Sequence, residues 1–418
     1  MLDIKFIREH ADAVKQAARD KKIACDVDRL VAIDGERRQL QQELDSLRTQ
    51  SREGGERMGQ MRNRKSKWYQ DALSAGRTDD DIRAEAQAAQ EKLNAIKQSV
   101  KPLEERERAV LEEFEALMLT IPQPPGPEVP VGADDTENVE LRTWGDVPTF
   151  DFEPRDHVAL GTHLGIIDIE RGVKLAGTRN YTLKGDGALL HQAVLRLALD
   201  TMLERGFTLV QVPVLVREEI MYGTGYFPGG RDQAYLCERD ELSLVGTAEV
   251  SLTALHADEI LDESDLPLKL VAVSPCFRRE AGAAGKDTHG LYRIHLFDKV
   301  EQVIVCRNDE AESIRWHEEI LANAEAVIQK LELPYRVVNV CTGDLGQGQV
   351  QKFDIEPWMP SRNGFGETHS ASRFYEFQAR RLKLRYRDEA RKTRFCHTLN
   401  NTVIASPRIL IPILELYQ

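Results

Sequence analysis

Residues 276–303 read CFRREAGAAGKDTHGLYRIHLFDKVEQV, a cation-studded, Gly/Ala-rich stretch between two apolar runs. The run before it, LKLVAVSPCF (268–277), and the run after it, LYRIHLFDKVEQVIV (291–305), are dense in β-branched and aromatic residues. Both read as strands, and the stretch between them reads as a long hairpin loop. Side chains alternate between the two faces of a strand. Arg293, Phe297 and Glu301 are therefore expected on one face of the second strand, with Arg278 and Glu280 on one face of the first. One hairpin gathers two guanidiniums, an aromatic ring and two carboxylates. A surface hairpin tied by salt bridges would carry the same letters.

The chain has 418 residues, too many for one ordinary core, so two or three domains are expected. With 41% hydrophobic and 30% charged residues, its composition is that of a soluble globular protein. No apolar run approaches the roughly 18 residues that span a bilayer. The opening MLDIKFIREH lacks the apolar centre of a signal peptide. A cytoplasmic protein without a membrane partner is expected. Cys25, Cys237, Cys276, Cys306, Cys341 and Cys396 form no CxxC pair, which points to reduced thiols and to no zinc site. His256, His295 and His397 lack metal-ligand spacing and read as packing or hydrogen-bonding residues.

A net charge of −13 speaks against a nucleic-acid partner unless positive charge is concentrated somewhere. It is concentrated in Arg48, Arg52, Arg57, Arg62, Arg64, Lys65 and Lys67, opposed locally only by Glu53 and Glu56. These residues fall within a coiled-coil pattern. Ile82, Ala86, Ala89, Leu93, Ile96, Val100, Leu103, Val110, Phe114, Leu117 and Ile121 recur in steps of three and four, interrupted by Glu107. An earlier seam runs through Leu30, Ile33, Leu40, Leu44, Leu47, Met58, Met61 and Trp68. LSAGRTDDD (73–81) joins them as a turn followed by acidic residues suited to a helix start. The expectation is an antiparallel helical hairpin over about 28–118, an arm roughly 60 Å long. Bends are expected at Gly54–Gly55 and at Pro102. The basic stretch lies on the outer half of the first helix. It fits a solvated helix face, and it also fits an RNA backbone, where Lys and Arg release phosphate counterions. Five prolines in IPQPPGPEVPVGADD (121–135) mark a linker. Residues 1–120, 121–135 and 136–418 are thus read as N-terminal domain, linker and catalytic domain.

Beyond the linker, helices such as GALLHQAVLRLALDTMLERG (187–206) and DEAESIRWHEEILANAEAVIQKLEL (309–333) alternate with hairpin-joined strands, which implies an antiparallel sheet of the α+β class. Neither a GxxxxGK[ST] loop nor a strand-borne GxGxxG is present. A nucleotide would have to be held by arginines, whose planar fork matches phosphate oxygens. The hairpin supplies Arg278 and Arg293, and ASPRILIP (405–412) supplies Arg408.

FRRE (277–280), RIHLF (293–297) and Arg408 before the last helix resemble motifs two and three of class II aminoacyl-tRNA synthetases. HQAVLRLALDTMLERG running into FTLVQVP resembles motif one, the dimer-forming element. GTAE (246–249), EAGAAGKDTHGLYRIHLFDKVE (280–301), VVNVCTGDLG (337–346), EFQARR (376–381) and HTLNNT (397–402) are each similar to stretches of bacterial seryl-tRNA synthetases. The resemblance spans nearly the whole chain, arm included. It implies a coiled-coil arm joined to a class II sheet domain flanked by helices, acting as a homodimer on L-serine, ATP with Mg²⁺, and tRNA(Ser), with tRNA(Sec) left open.

By resemblance, Arg278 bridges the α-phosphate and the serine carboxylate, Glu280 accepts from the adenine amino group, and Phe297 stacks on the ring. Arg293 and Arg408 take the outer phosphates, and Arg408 also covers the adenine. Arg279, Thr368 and His369 fall in the same nucleotide-binding stretches, while Glu367 and Ser370 match Mg²⁺-holding positions. Thr247, Ala248, Glu249, Glu301, Asn400 and Thr402 match the serine site. The resemblance also casts the seven basic arm residues as tRNA contacts. Four positions depart from the family pattern: His369, Ala371 and Arg373 stand where serine, cysteine and a small or amide residue are usual, and His289 replaces an arginine. Two other readings remain open, a ligase charging a carrier protein and an inactive RNA-binding paralogue. The arm argues against the first. Retention of Arg278, Glu280, Glu301, Glu367 and Arg408 together argues against the second.

Overall fold

The computed structural model describes residues 1–282 and 289–418, which form two compact units. One is Asp26–Leu119; the other combines Met1–Cys25 with Thr120–Gln418. The first 25 residues, placed with the arm on sequence grounds, thus pack with the larger unit as the helices Ile4–Glu9 and Ala11–Asp20.

The smaller unit is a helical hairpin of Val27–Arg62 and Asp79–Thr120, with the short helix Lys67–Ser74 between them. Asp26 caps the first helix by accepting from the Arg29 amide at 2.8 Å. Thr78 and Asp81 cap the last reciprocally. Leu30, Ile33, Leu40, Leu44 and Met61 of the first seam and Ile82, Leu93, Ile96 and Val110 of the second are buried. The seam through Trp68 is not one helix. Ser66 starts a separate turn by accepting from the Tyr69 amide, and Met61, Tyr69, Ala72 and Ile82 close a small core there. Helix runs unbroken through Gly54–Gly55 and Pro102. Gly54 serves close packing: a Cβ there would stand 2.9 Å from Leu93 Cδ2.

The larger unit is built on a nine-stranded sheet. Its strands are β1 (Val139–Trp144), β2 (Thr208–Leu209), β3 (Leu268–Phe277), β4 (Leu296–Cys306), β5 (Tyr335–Asn339), β6 (Gln351–Met359), β7 (Gly364–Phe365), β8 (His369–Tyr375) and β9 (His397–Ser406). They lie in the order β1-β5-β6-β8-β9-β4-β3-β2, with β7 paired to β6. Every pairing is antiparallel except β2 with β3. Helices Asp186–Glu204 and Glu310–Lys330 cover one face, where Val194, Ala198, Ile320 and Ala324 meet Val300, Ile304 and Leu399. Among the described residues, no helix is long and apolar enough to cross a membrane.

The opposite face changes character along its length. Val303 and Val305 of β4 pack into an apolar cluster with Leu252, Ala379 and Leu382. Phe297, Lys299 and Glu301, on the same side of the same strand, line a polar cavity instead. A β-bulge shapes the neighbouring strand: Val300 faces Ile404 while Glu301 faces Thr402, leaving Val403 as the extra residue. Val403 and Ile404 both join the helix-side core, and Ala405 turns to the cavity.

Two details of the hairpin differ from the alternation argument. The second strand begins at Leu296, because Leu291 is drawn into a separate cluster with Ile167, Met359 and Ile411. Arg293 therefore precedes the strand and does not share a strand face with Phe297 and Glu301. The first strand ends at Phe277, and Glu280 lies beyond it at φ 50°.

Candidate active site

Across the polar face, adjacent strands contribute Lys352 (β6), Ser370 and Ser372 (β8), Asn400 and Thr402 (β9), then Lys299 and Glu301 (β4). Register sets Thr402 opposite Glu301 and Asn400 opposite Ser372. Arg278, Glu280 and Phe297 wall one end of this cavity of about 230 Å³, Glu249 and Tyr226 another, and Glu367, Thr368 and Arg408 a third.

At the hairpin end, the Arg278 guanidinium sits 5.1 Å from the Phe297 ring centroid and donates to Gly246 O at 3.4 Å. Arg293 pairs with Glu280 at 2.8 Å, fixing that carboxylate at the cavity edge. Arg408 donates to Tyr292 O at 3.0 Å and Glu367 O at 3.1 Å, with its guanidinium over the Tyr292 ring. The residue two before it, Ser406, bonds His191 at 2.8 Å, and His191 bonds Asp298 at 3.0 Å. That chain fastens the approach to Arg408 to helix Asp186–Glu204 and to β4.

The deep end holds two carboxylates, Glu249 at 6% exposure and Glu301 at 1%. Glu249 accepts from Tyr226 Oη at 2.7 Å and Gln378 Nε2 at 2.8 Å. Burial, reinforced by the Glu301 charge, pushes its pKa up to about 7. Burial also raises Glu301, against the opposing pull of its ion-pair partner Lys299. Asn400 Nδ2 is buried with no hydrogen-bond partner among the described residues. Two acids facing one lysine and an uncommitted amide form a site suited to a small cation bearing a hydroxyl.

Around Glu367 the balance reverses. Burial pushes its pKa up, but Arg408, Lys352 and Arg278 outweigh it and hold the carboxylate low. Lys352 lies 3.4 Å from Asp354 and 3.5 Å from Asp344. Glu367 and Ser370 present hard oxygens to the cavity, and no group of three His, Cys, Asp or Glu among the described residues could hold a metal alone. That donor set fits Mg²⁺, which takes one or two protein oxygens and fills its shell from a nucleotide and water.

Of the residues singled out by sequence, Glu249, Arg278, Glu280, Phe297, Glu301, Glu367, Thr368, Ser370, Asn400, Thr402 and Arg408 meet in this cavity. Thr247 and Ala248 are buried beside it; the Thr247 hydroxyl accepts from the Glu249 amide. Arg279 turns away to Asp232 O at 3.3 Å. Strand alternation accounts for the unusual letters of β8. His369, Ala371 and Arg373 point to the face opposite Ser370 and Ser372. His369 bonds Val403 O at 3.0 Å, and burial pushes its pKa down to about 4. Ala371 lies in the helix-side core, and Arg373 pairs with Glu128 and bonds Gln351. His289 pairs with Asp156 at 3.1 Å, outside the cavity.

Sequence reasoning missed Lys299, Ser372, Lys352, Gln349 and Tyr226, all of which line the cavity. Lys299 sits between Phe297 and Glu301 at the strand period, and Ser372 follows Ser370 by two; both were within reach of the alternation rule. Lys352, Gln349 and Tyr226 carry no local signal, because long-range packing brings their segments to the site.

In the arm, four of the basic residues bond across the hairpin: Arg48 to Glu104, Arg57 to Glu85, Arg62 to Gln90 and Arg64 to Asp79. Arg52, Lys65 and Lys67 are exposed and make no ion pair among the described residues.

A family model described as the seryl-tRNA synthetase N-terminal domain matches residues 1–125, and one described as the tRNA synthetase class II core domain (G, H, P, S and T) matches 235–417. The serine–tRNA ligase of Deinococcus radiodurans is 45% identical over 418 residues, covering 100% of this chain and 94% of the relative. That of Rubrobacter xylanophilus is 41% identical with the same coverage. Among solved structures, seryl-tRNA synthetase from Pyrococcus horikoshii complexed with ATP superimposes with a TM-score of 0.86 at 37% identity, covering 100% of this chain and 94% of that one.

Proposed function

The chain belongs to the seryl-tRNA synthetase family, and on that premise we propose how its residues carry the reaction. It is an ATP-dependent serine–tRNA ligase. The observation that carries the residue assignment is the meeting of Arg278, Glu249, Glu301 and Arg408 in one cavity.

Serine enters at the deep end. Its ammonium pairs with Glu249 and Glu301, and its hydroxyl bonds Thr402 and Asn400. Alanine and glycine are rejected because they would leave those buried polar groups unpaired. The adenine lies against Phe297, with its amino group donating to Glu280 and Arg408 covering the ring. Arg293 and Arg408 take the outer phosphates; Arg293 Nε is a buried donor with no partner among the described residues. Glu367 and Ser370 would hold Mg²⁺, which when bound would supply charge neutralisation at the phosphates. A serine carboxylate oxygen attacks the α-phosphorus, the bond to the pyrophosphate oxygen breaks, and seryl-adenylate remains. Arg278, held between the two substrates, stabilises the charge that builds there; positioning and electrostatics do most of the catalysis. A hydroxyl of the tRNA terminal ribose then attacks the acyl carbon and AMP leaves.

Arg52, Lys65 and Lys67 support the arm as the tRNA contact, since cations without partners are available to phosphates. A homodimer, placed in the cytoplasm with the family, is the proposed assembly, and exposed apolar surface supports the association. Every residue of edge strand β1 is exposed, and Leu175 and Leu189 stand 81% and 67% exposed. ATP–pyrophosphate exchange with each amino acid offered separately tests the assignment. Exchange with serine alone is expected; exchange with another amino acid, or with none, would overturn it.

A further inference from the structure

The loop between β5 and β6 carries Gln349 into the cavity wall, alongside Glu249 and Tyr226. The same three side chains also bound a smaller space behind the cavity, of about 200 Å³. Gln349 is thus a partition on the amino-acid side, and its amide is committed at both ends. Its Oε1 accepts from the Gly346 amide at 2.6 Å, and its Nε2 donates to Ser372 Oγ at 2.7 Å.

The carbonyls of Gly346, Gln347 and Gln349 converge on one centre. Lys21 Nζ fills it, donating to Gly346 O at 3.1 Å, Gln347 O at 3.4 Å and Gln349 O. Lys21 ends the helix Ala11–Asp20, which packs within the larger unit, and is only 3% exposed. Burial pushes its pKa down to about 7, while three carbonyl acceptors favour the charged form. Water cannot replace a buried ammonium that satisfies three acceptors without rearranging the loop.

We propose that Lys21 is a positioning residue for the amino-acid end of the active site, acting through the Gly346–Gln349 loop to fix Gln349 against Ser372. The inference rests on the reading that serine binds at Glu249 and Glu301. It makes the first 25 residues part of the serine site, although they contribute no side chain to its wall.

The test is steady-state ATP–pyrophosphate exchange by the full chain, with serine and ATP varied separately. Lys21→Met should raise the serine KM about tenfold, as the loss of one well-placed hydrogen-bonded wall would, with the ATP KM and tRNA affinity unchanged. Lys21→Arg should restore most of the loss. Gln349→Ala, which keeps Lys21 and the loop's carbonyl cradle, should reproduce the serine-selective rise and guards against misfolding of Lys21→Met. The inference is overturned if a folded Lys21→Met keeps the wild-type serine KM, if Gln349→Ala keeps it, or if Lys21→Met raises the two substrate KM values together. Glu301→Gln separates the failures. If it loses serine binding while the other two variants do not, the inference falls and the reading stands; if it keeps serine binding, both fall.

Discussion

Charge does opposite things in the two units. In the arm, Arg57 and Glu85 pair at 2.6 Å with side chains 62% and 28% exposed, in water that screens them. In the cavity, Glu249 and Glu301 sit nearly out of solvent, each held by fixed partners. An exposed pair stabilises by about 0–1 kcal/mol and can be exchanged for a contact with another molecule. A buried acid is set in place, its ionisation tuned by its neighbours, and its loss leaves those neighbours unpaired. Exposed pairs leave the arm free to trade partners, as the proposed tRNA contact requires, and the cavity holds one geometry.

The contrast breaks most sharply on Arg278. Arg278→Ala should lower serine-dependent exchange by about a thousandfold, the scale of losing a preorganised charge at the transition state. Filter binding should show tRNA affinity unchanged; a matching loss of tRNA binding would erase the division between the units. Removing the outer arm, about residues 45–90, should do the reverse. Exchange is retained, and aminoacylation falls by a hundredfold or more, on the order expected when several phosphate contacts go.

A smaller effect sharpens the cavity side. Burial, then Glu301, raises Glu249 to about 7, where it faces Tyr226 and Gln378 from two packed segments and Lys299, Glu301 and Arg278 from the hairpin. An ammonium ligand needs the carboxylate ionised. The serine KM should therefore rise about tenfold for each pH unit below 7 and level off above it. The stability sign is the reverse. A raised carboxyl pKa means the folded state binds the extra proton, so stability should fall as pH rises from about 4.5 to 7, by up to about 3 kcal/mol. Glu249→Gln should flatten both profiles, read by exchange kinetics and urea unfolding. The smallest effect belongs to the arm: Arg57→Ala should change unfolding free energy by less than about 1 kcal/mol. A larger loss would mean that this pair is not solvent-screened.

The arm was legible because its signal is local. A seam repeating every three or four residues is visible in a window shorter than either helix, and Leu30, Ile33, Leu40, Leu44, Ile82, Leu93 and Ile96 are buried as the repeat requires. The break at Asn63 escaped, since Trp68 keeps the apolar spacing on a separate helix capped by Ser66. The hairpin was legible for the same reason over 268–277 and from Leu296 onward, and failed where Leu291 leaves the strand for another cluster. Alternation carried from Ser370 to Ser372 would have found one more wall residue and explained why His369, Ala371 and Arg373 leave the cavity untouched.

The sequence by itself determined the arm, the α+β class, the arginine-rich hairpin and most of the side chains that converge on the cavity, because periodicity and motif spacing are properties of short segments. Only the tertiary structure decided that Lys352 and Gln349 reach the site, that a bulge at Val403 turns Ala405 into it, and that Lys21 organises a loop more than 300 residues away. Such contacts depend on which strands pair and which segment fills a buried polar gap. Nothing within a single segment encodes that choice; the packed whole settles it by burying apolar faces and leaving few polar groups unpaired.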